Sequence, residues 1–124
     1  MPVIVHCCAP ALPLQVVRDG GAAAVALDLS FVKDLDPLGE ALEAGLGLFA
    51  GVAPTLPPAD GRAPTSAQLA ERASKLWSRL GFPAARLPHQ VVITPACGLA
   101  GASQPYVRAV LKACRDAGRR LSEV

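Results

Sequence analysis

The sequence predicts an α/β domain in which four strand–helix units build a parallel sheet. Four short apolar runs lack the alternation of a half-exposed strand, and each is followed by a segment with helical features. The hydrophobic residues, 52% of 124, are mainly Ala, Val and Leu, which suit layers of small side chains between strands and helices. This length supports one core and is too short for two. We therefore predict a single domain over residues 1–124, and we exclude a two-domain enzyme and a disordered chain.

The first two strands are continuous apolar runs. Residues 3–6 predict the first strand, and a proline-bounded segment at residues 14–19 predicts the helix after it. Residues 23–29 predict a second buried strand, which only Asp28 interrupts, near its end.

The second helix is marked at both ends. Asp36 and Pro37 predict an N-cap followed by proline at the first helical position. Gly45 closes this helix, and residues 46–52 predict the third strand. Residues 53–64 then form a proline-rich loop, whose length is typical of functional or mobile segments.

The third helix opens with a capping box. Thr65 and Gln68 have the spacing at which each side chain binds the other residue's backbone amide, and Gly81 ends the helix. Helical periodicity predicts that its buried side consists of Leu69, Ala73, Leu76, Trp77 and Leu80.

The fourth unit begins with an apolar strand at residues 91–94. A glycine-rich turn follows at residues 95–101, and Ser103 is predicted to cap the last helix. The apolar side of that helix is predicted at Val107, Val110, Leu111, Cys114 and Leu121. The opposite side is basic, with Arg108, Lys112, Arg115 and Arg119.

Four strand–helix units make half of a (β/α)8 barrel. Such a half leaves two open strand edges and an uncovered inner face. We expect one of three arrangements: a flattened open sheet, two copies that close a barrel around a two-fold axis, or a chain that is one piece of a longer protein.

Charge is distributed unevenly along the chain. Residues 1–60 carry a net charge of −5 and residues 61–124 a net charge of +7, so we expect the two halves to attract each other. We do not predict nucleic-acid binding, because the basic residues are spaced along helices without aromatic residues between them. No run is long enough for a membrane helix and no signal peptide is recognisable, so we expect a cytoplasmic protein without a membrane partner.

Potential ligands for a metal ion fall at the carboxyl ends of the predicted strands, where parallel sheets collect functional residues. His6 and Cys8 end the first strand and lie on the same side of an extended segment. Asp28 ends the second strand, and Cys97 follows the fourth. Two sulfurs, one nitrogen and one carboxylate suit tetrahedral zinc. Taken singly, a histidine at a strand end is also typical of a hydrogen-bonded structural residue, and a free cysteine of a buried thiol.

The remaining candidates are interpreted as structural. Adjacent Cys7 and Cys8 are poorly placed for a mutual disulfide, and Cys7 is expected to point away from the metal ligands and to pack. Cys114 and Trp77 are expected in the core, on helix stripes. His89 precedes the fourth strand, at the end of the sheet opposite the candidate ligands.

Three segments carry a resemblance to a known family. They are Ile-Val-His-Cys-Cys at residues 4–8, Val-Ala-Leu-Asp-Leu-Ser at residues 25–30 and Thr-Pro-Ala-Cys-Gly-Leu at residues 94–99. In order and spacing they resemble the zinc-site segments of cobalamin-independent methionine synthase, a member of the superfamily that includes uroporphyrinogen decarboxylase. The resemblance spans nearly the whole chain and implies the second, C-terminal half of that family's catalytic (β/α)8 barrel.

The resemblance implies a zinc-dependent methyltransferase that activates a thiol such as homocysteine. His6, Cys8 and Cys97 are implied zinc ligands, and Asp28, where the family usually has glutamate, is implied as a labile fourth ligand that the substrate sulfur displaces. The methyl donor implied is methyltetrahydrofolate. The chain lacks the first half of the barrel, and residues 49–54 lack the family's Asp-His pair, so a complementary half-barrel or a second copy is an expected partner.

Other functions remain open from the sequence. One is a non-catalytic zinc-binding or assembly module, in which the ligands only stabilise the fold. Another is a corrinoid-protein methyltransferase, which also activates a thiol with zinc; there the thiol would be coenzyme M and not homocysteine. A uroporphyrinogen-decarboxylase-like protein is least favoured, because decarboxylation does not require paired cysteines.

Overall fold

A computed structural model describes residues 1–8 and 13–123. Strands and helices alternate as predicted: β1 (Ile4–Cys7), α1 (Leu14–Asp19), β2 (Ala24–Asp28), α2 (Leu35–Glu43), β3 (Gly47–Ala53), α3 (Ser66–Arg79), α4 (Leu87–Gln90), β4 (Val91–Pro95) and α5 (Gln104–Ser122). Short 3-10 turns follow β2 (Leu29–Phe31) and precede α4 (Ala84–Arg86).

The four strands form one parallel sheet in the order β1-β2-β3-β4. Each strand therefore pairs with the next one along the chain, and β1 and β4 are its two edges. His6 stands beside Ala26, Ala26 beside Phe49, and Phe49 beside Val92. The prediction of four strand–helix units around a parallel sheet is confirmed.

The two faces of the sheet differ in burial. One face carries Val25, Leu48, Ala50 and Ile93, all at most 7% exposed, which join helix residues such as Leu38, Leu42, Leu69 and Val110 in the core. On the other face His6 and Val92 are exposed, and Ala26 and Phe49 are half-buried. The unbroken apolar runs predict strands buried on both sides, yet in the described part of the chain only one side is covered. We call the row His6, Ala26, Phe49 and Val92 the uncovered face.

The start of α2 differs from its prediction. Asp34, not Asp36, caps the helix, and its Oδ1 accepts a hydrogen bond of 3.1 Å from the amide of Asp36. Pro37 is therefore the third helical residue. A proline is tolerated there because the first amides of a helix have no intrahelical acceptor, so either aspartate fits the sequence pattern.

The other helix signals are largely confirmed. Thr65 and Gln68 form the capping box, with hydrogen bonds of 2.9 and 3.2 Å, and the Ser103 hydroxyl accepts one from the amide of Tyr106. Leu111 was expected to be buried but is 49% exposed. Because α5 turns Tyr106 inward instead, the buried side of that helix is rotated away from Leu111. The side chains on the buried side are Tyr106, Val110, Ala113, Cys114, Ala117 and Leu121.

The predicted core residues Trp77 and Cys114 are buried. The Trp77 indole nitrogen donates a hydrogen bond of 2.8 Å to the carbonyl of Pro83, which satisfies its polar group inside the core. Among the described helices, none has the length and apolarity that a bilayer span requires.

Candidate metal centre

Three of the four predicted ligands come together at the carboxyl end of the sheet. One nitrogen of His6 and the sulfurs of Cys8 and Cys97 all lie within 4.8 Å of one another, and all three residues are exposed. His6 Nε2 is 3.5 Å from Cys97 Sγ. A nitrogen and two sulfurs thus converge from residues that are 91 positions apart in the sequence.

His6 and Cys8 are brought to one side by strand geometry. Side chains alternate along an extended segment, so His6 and Cys8 project to the same side while Cys7, between them, projects to the other. Cys7 is half-buried, which agrees with the prediction that it points away from the ligands. His89 lies in α4, immediately before β4, and so at the opposite end of the sheet.

Cys97 reaches His6 although their strands are the two edges of the sheet. Neighbouring strands are about 4.8 Å apart, so β1 and β4 would lie roughly 14 Å apart in a flat sheet. The gap is closed where the chain turns inward after β4 and crosses the end of β3. There the amide of Ala96 donates a hydrogen bond of 2.8 Å to the carbonyl of Ala53.

Gly51 permits this crossing, and sequence reasoning did not identify it. A Cβ atom at position 51 would lie 2.8 Å from the Cα of Ala96 and would also collide with the carbonyl oxygen of Leu27. Ala96, the residue before Cys97, can therefore pack this closely against β3 only because position 51 is a glycine. The available signal was a glycine inside an apolar strand, which is typical of close backbone approach.

The two thiols have opposite electrostatic environments. The pKa of Cys97 is lowered, first by its hydrogen bond with His6 and then by the amide of Gly98 and the thiol of Cys8. The pKa of Cys8 is raised, first by its hydrogen bond with Cys97 and then by the charge of that residue. When no metal is bound, Cys97 therefore ionises first, and Cys8 remains the thiol that donates to it.

The donor set fits zinc in type and spacing. With zinc–sulfur bonds of about 2.3 Å and zinc–nitrogen bonds of about 2.0 Å, sulfur and nitrogen ligands of a tetrahedral site lie roughly 3.5 Å apart. The distance between His6 Nε2 and Cys97 Sγ is 3.5 Å. A cavity of about 300 Å³, lined by both residues and by Ala26 and Thr94, opens beside them. A metal ion and a small fourth ligand can therefore reach His6 and Cys97 from solvent.

Asp28 does not belong to this close group. It lies at the end of β2 as predicted, but its Oδ1 accepts hydrogen bonds from the amide and the hydroxyl of Ser30, at 2.9 and 2.6 Å. These bonds cap the 3-10 turn Leu29–Phe31. Its role as a metal ligand stays a prediction, and the Ser30 bonds occupy only one of its two carboxylate oxygens.

Comparisons with known proteins leave the family open. No family model matches this chain, and no curated protein matches it at a significant level.

Proposed function

We propose that this protein is a zinc-dependent methyltransferase module similar to the C-terminal half of the cobalamin-independent methionine synthase barrel. His6, Cys8 and Cys97 would hold zinc, and a thiol such as homocysteine would be the methyl acceptor. The observation that carries the proposal is the convergence of one nitrogen and two sulfurs within 4.8 Å at the carboxyl end of a parallel sheet.

The number of ligands favours a catalytic site over a structural one. Structural zinc sites are closed by four protein ligands, whereas catalytic sites have three and keep a position open. Here three ligands lie together, and the proposed fourth ligand, Asp28, lies outside that close group and would be labile, so that the acceptor can take its position. We therefore favour methyl transfer over a non-catalytic zinc-binding or assembly module.

Each residue has a defined part in the proposed reaction. When bound, zinc would lower the pKa of the acceptor thiol so that it attacks as a thiolate. Cys8 and Cys97 would bind as thiolates and keep electron density on that sulfur, while Asp28 would yield its position to the acceptor. A sulfur–methyl bond forms as the methyl–nitrogen bond of a donor such as methyltetrahydrofolate breaks, and the thiol proton is transferred to that nitrogen.

The proposal includes a partner for the uncovered face. Two four-stranded sheets related by a two-fold axis along the strands would pair β4 of one with β1 of the other and close a (β/α)8 barrel. Each sheet offers both edges required. We favour a second copy of this chain over a separate complementary half-barrel, in a reducing, cytoplasmic compartment that keeps Cys8 and Cys97 as thiols.

Zinc content tests the metal site directly. We expect about one zinc per chain in protein purified without added metal, because one nitrogen and two sulfurs already lie within 4.8 Å of one another. The double variant Cys8→Ser/Cys97→Ser should lose it. The matched control Cys114→Ala removes a buried thiol outside the site and should keep it. A double variant that still holds one zinc per chain would show that Cys8 and Cys97 do not bind the metal.

Titration with thiols, followed by X-ray absorption at the zinc edge, tests the chemistry. We expect a third sulfur ligand to appear with homocysteine, since Cys8 and Cys97 supply two. Binding of coenzyme M in place of homocysteine would favour a corrinoid-protein methyltransferase. Zinc that gains no sulfur with either thiol would contradict thiol activation and leave a non-catalytic zinc module.

A further inference from the structure

A second, larger cavity lies beside the metal centre at the same end of the sheet. Its volume is about 660 Å³, within the range of small-molecule sites, roughly 300–1,000 Å³. It lies between the ends of β2 and β3, the 3-10 turn Leu29–Phe31 and α3. Ala96, the neighbour of Cys97, lines both cavities.

Much of the lining of this cavity is apolar. Six branched aliphatic side chains contribute from the turn, the start of α2, β3, the following loop and α3: Leu29, Val32, Leu35, Val52, Leu56 and Leu76. The walls can therefore take up a hydrocarbon or aromatic group.

Three cationic side chains on α3 also line it. Arg72, Lys75 and Arg79 are spaced by three and four residues, which places them on one side of the helix. Asp28 is the one acidic residue of the lining, and its Oδ1 already accepts two hydrogen bonds from Ser30. The lining thus carries a net positive charge.

The three cationic side chains differ in the hydrogen bonds and ion pairs that they already make. Arg72 Nη1 donates a hydrogen bond of 2.8 Å to the carbonyl of Val52, which fixes the guanidinium over β3. Lys75 has only an exposed ion pair with Glu71 at 3.3 Å, a kind of contact that is weak in water. The Arg79 side chain has no hydrogen bond or ion pair with any residue that the structure describes. Lys75 and Arg79 are therefore able to bind an external anion.

We propose that this cavity binds an organic anion with an apolar body, such as an aryl or alkyl carboxylate. The body lies against Val52, Leu56 and Leu76, and the anionic group pairs with Lys75 and Arg79. Charge and apolar surface meet at the carboxyl ends of parallel strands, where α/β sheets bind their ligands. His6, Cys8 and Cys97 are not among the lining residues, and neither Lys75 nor Arg79 is a proposed metal ligand.

A titration followed by two-dimensional 15N NMR, with 4-phenylbutyrate as the probe, tests this site. We expect saturable shifts at Ser30, Val52, Thr55, Lys75 and Arg79. The neutral 4-phenylbutanamide should bind at least about tenfold more weakly, the loss expected for one charged contact. Equal affinity for the two probes would overturn the role of the cations.

A matched pair of variants locates the anionic group. Lys75→Gln/Arg79→Gln should weaken 4-phenylbutyrate about tenfold or more, and Arg108→Gln/Arg115→Gln, with the same change of charge on α5, should not. The NMR spectrum of each variant reports whether it is folded. Unchanged affinity in the α3 variant, no saturable shifts, or shifts confined to Phe49 and Val92 would overturn the proposal. Zinc content is measured separately and does not enter this result.

Discussion

The pKa of Cys97 is lowered, whereas the pKa values of Cys8 and Cys114 are raised. In metal-free protein, iodoacetamide should therefore label Cys97 first, since the thiolate is the reactive species and a lowered pKa enlarges its fraction near neutral pH. Cys8 should follow, because its pKa is raised. Timed labelling with peptide mass mapping measures this order.

The variant His6→Ala is the control for that order. It removes the hydrogen bond that does most to lower the pKa of Cys97, so labelling of Cys97 at neutral pH should slow several-fold. Faster labelling of Cys8 than of Cys97 in the unsubstituted protein would contradict the assignment.

Cys114 gives the chain a dependence of stability on alkaline pH. Burial raises the pKa of its thiol from 9.0 to about 11, so the folded state keeps it neutral where the unfolded chain ionises it. This contribution is fully present below pH 9 and is lost as the pH rises through 11, by about 3 kcal/mol at most. Urea unfolding at several pH values should show a smaller alkaline loss for Cys114→Ala than for the unsubstituted protein. Equal losses of stability in the two proteins would contradict this role of Cys114.

The proximity of His6, Cys8 and Cys97 was predictable because it follows from topology. The carboxyl ends of parallel strands share one edge of the sheet, and alternation places His6 and Cys8 on one side. Sequence reasoning failed to foresee the contact between Asp28 and Ser30, because an aspartate two residues before a serine fits a local capping turn as well as a metal ligand. Lys75 and Arg79 were not predicted to line a binding site, since their spacing along α3 does not reveal a cavity.

At the level of elements, the junction between β3 and the turn after β4 depends on Gly51. Gly51→Ala should destabilise the fold by roughly 1–3 kcal/mol, because a Cβ there collides with the backbone rather than with a movable side chain. It should also weaken zinc binding, since relieving the collision moves Ala96 and hence Cys97. Urea unfolding and zinc titration measure the two effects.

Gly118 provides the comparison for that substitution. It lies in α5 with nothing within 4 Å of an added Cβ, and alanine is the better helix former by about 1 kcal/mol. Gly118→Ala should therefore keep or raise stability and leave zinc binding unchanged. If Gly51→Ala behaves in the same way, the chain after β4 does not need the close crossing.

Helix starts were predictable where the chain offers one cap or a second signal that selects the cap. Ser103 stands alone, and Gln68 selects Thr65 over the adjacent Ser66 by completing a capping box; both Thr65 and Ser103 act as caps. Asp34 and Asp36 lie two residues apart at the start of α2 with no such signal, so the sequence pattern does not select between them. Tertiary packing turns Tyr106 inward on α5 and leaves Leu111 exposed.

For the whole molecule, the uneven charge produces one close link between the halves. Among the ion pairs of the described residues, only Arg86 with Glu43, at 3.1 Å, joins residues 1–60 to residues 61–124. Arg86 also donates to the carbonyl of Leu42 and to Gln90, and Gln90 donates to the carbonyls of Leu42 and Leu46. The expected attraction is thus realised as a local network that ties the end of α2 to the start of β4.

The uncovered face leads to a prediction about association. Because β1 and β4 are open edges and Val92 is 48% exposed, the chain should sediment as a dimer at micromolar concentration. Val92→Glu should shift it to monomer, since closure of a barrel would bury the new charge. Val16→Glu, on α1, changes a residue that is 67% exposed and should leave the dimer intact. A monomeric unsubstituted chain would contradict closure by a second copy.

The distance in sequence between His6 and Cys97 determines when a metal can be captured. An ion held by both residues closes a loop of about 90 residues, and the entropy of closing it amounts to roughly 4 kcal/mol. Folding would have to pay this cost before an ion binds, because His6 and Cys97 meet only once the turn after β4 has crossed β3. If the site holds a metal as proposed, loading would follow folding, and the bound ion, like a covalent cross-link, would keep the first strand from separating from the last.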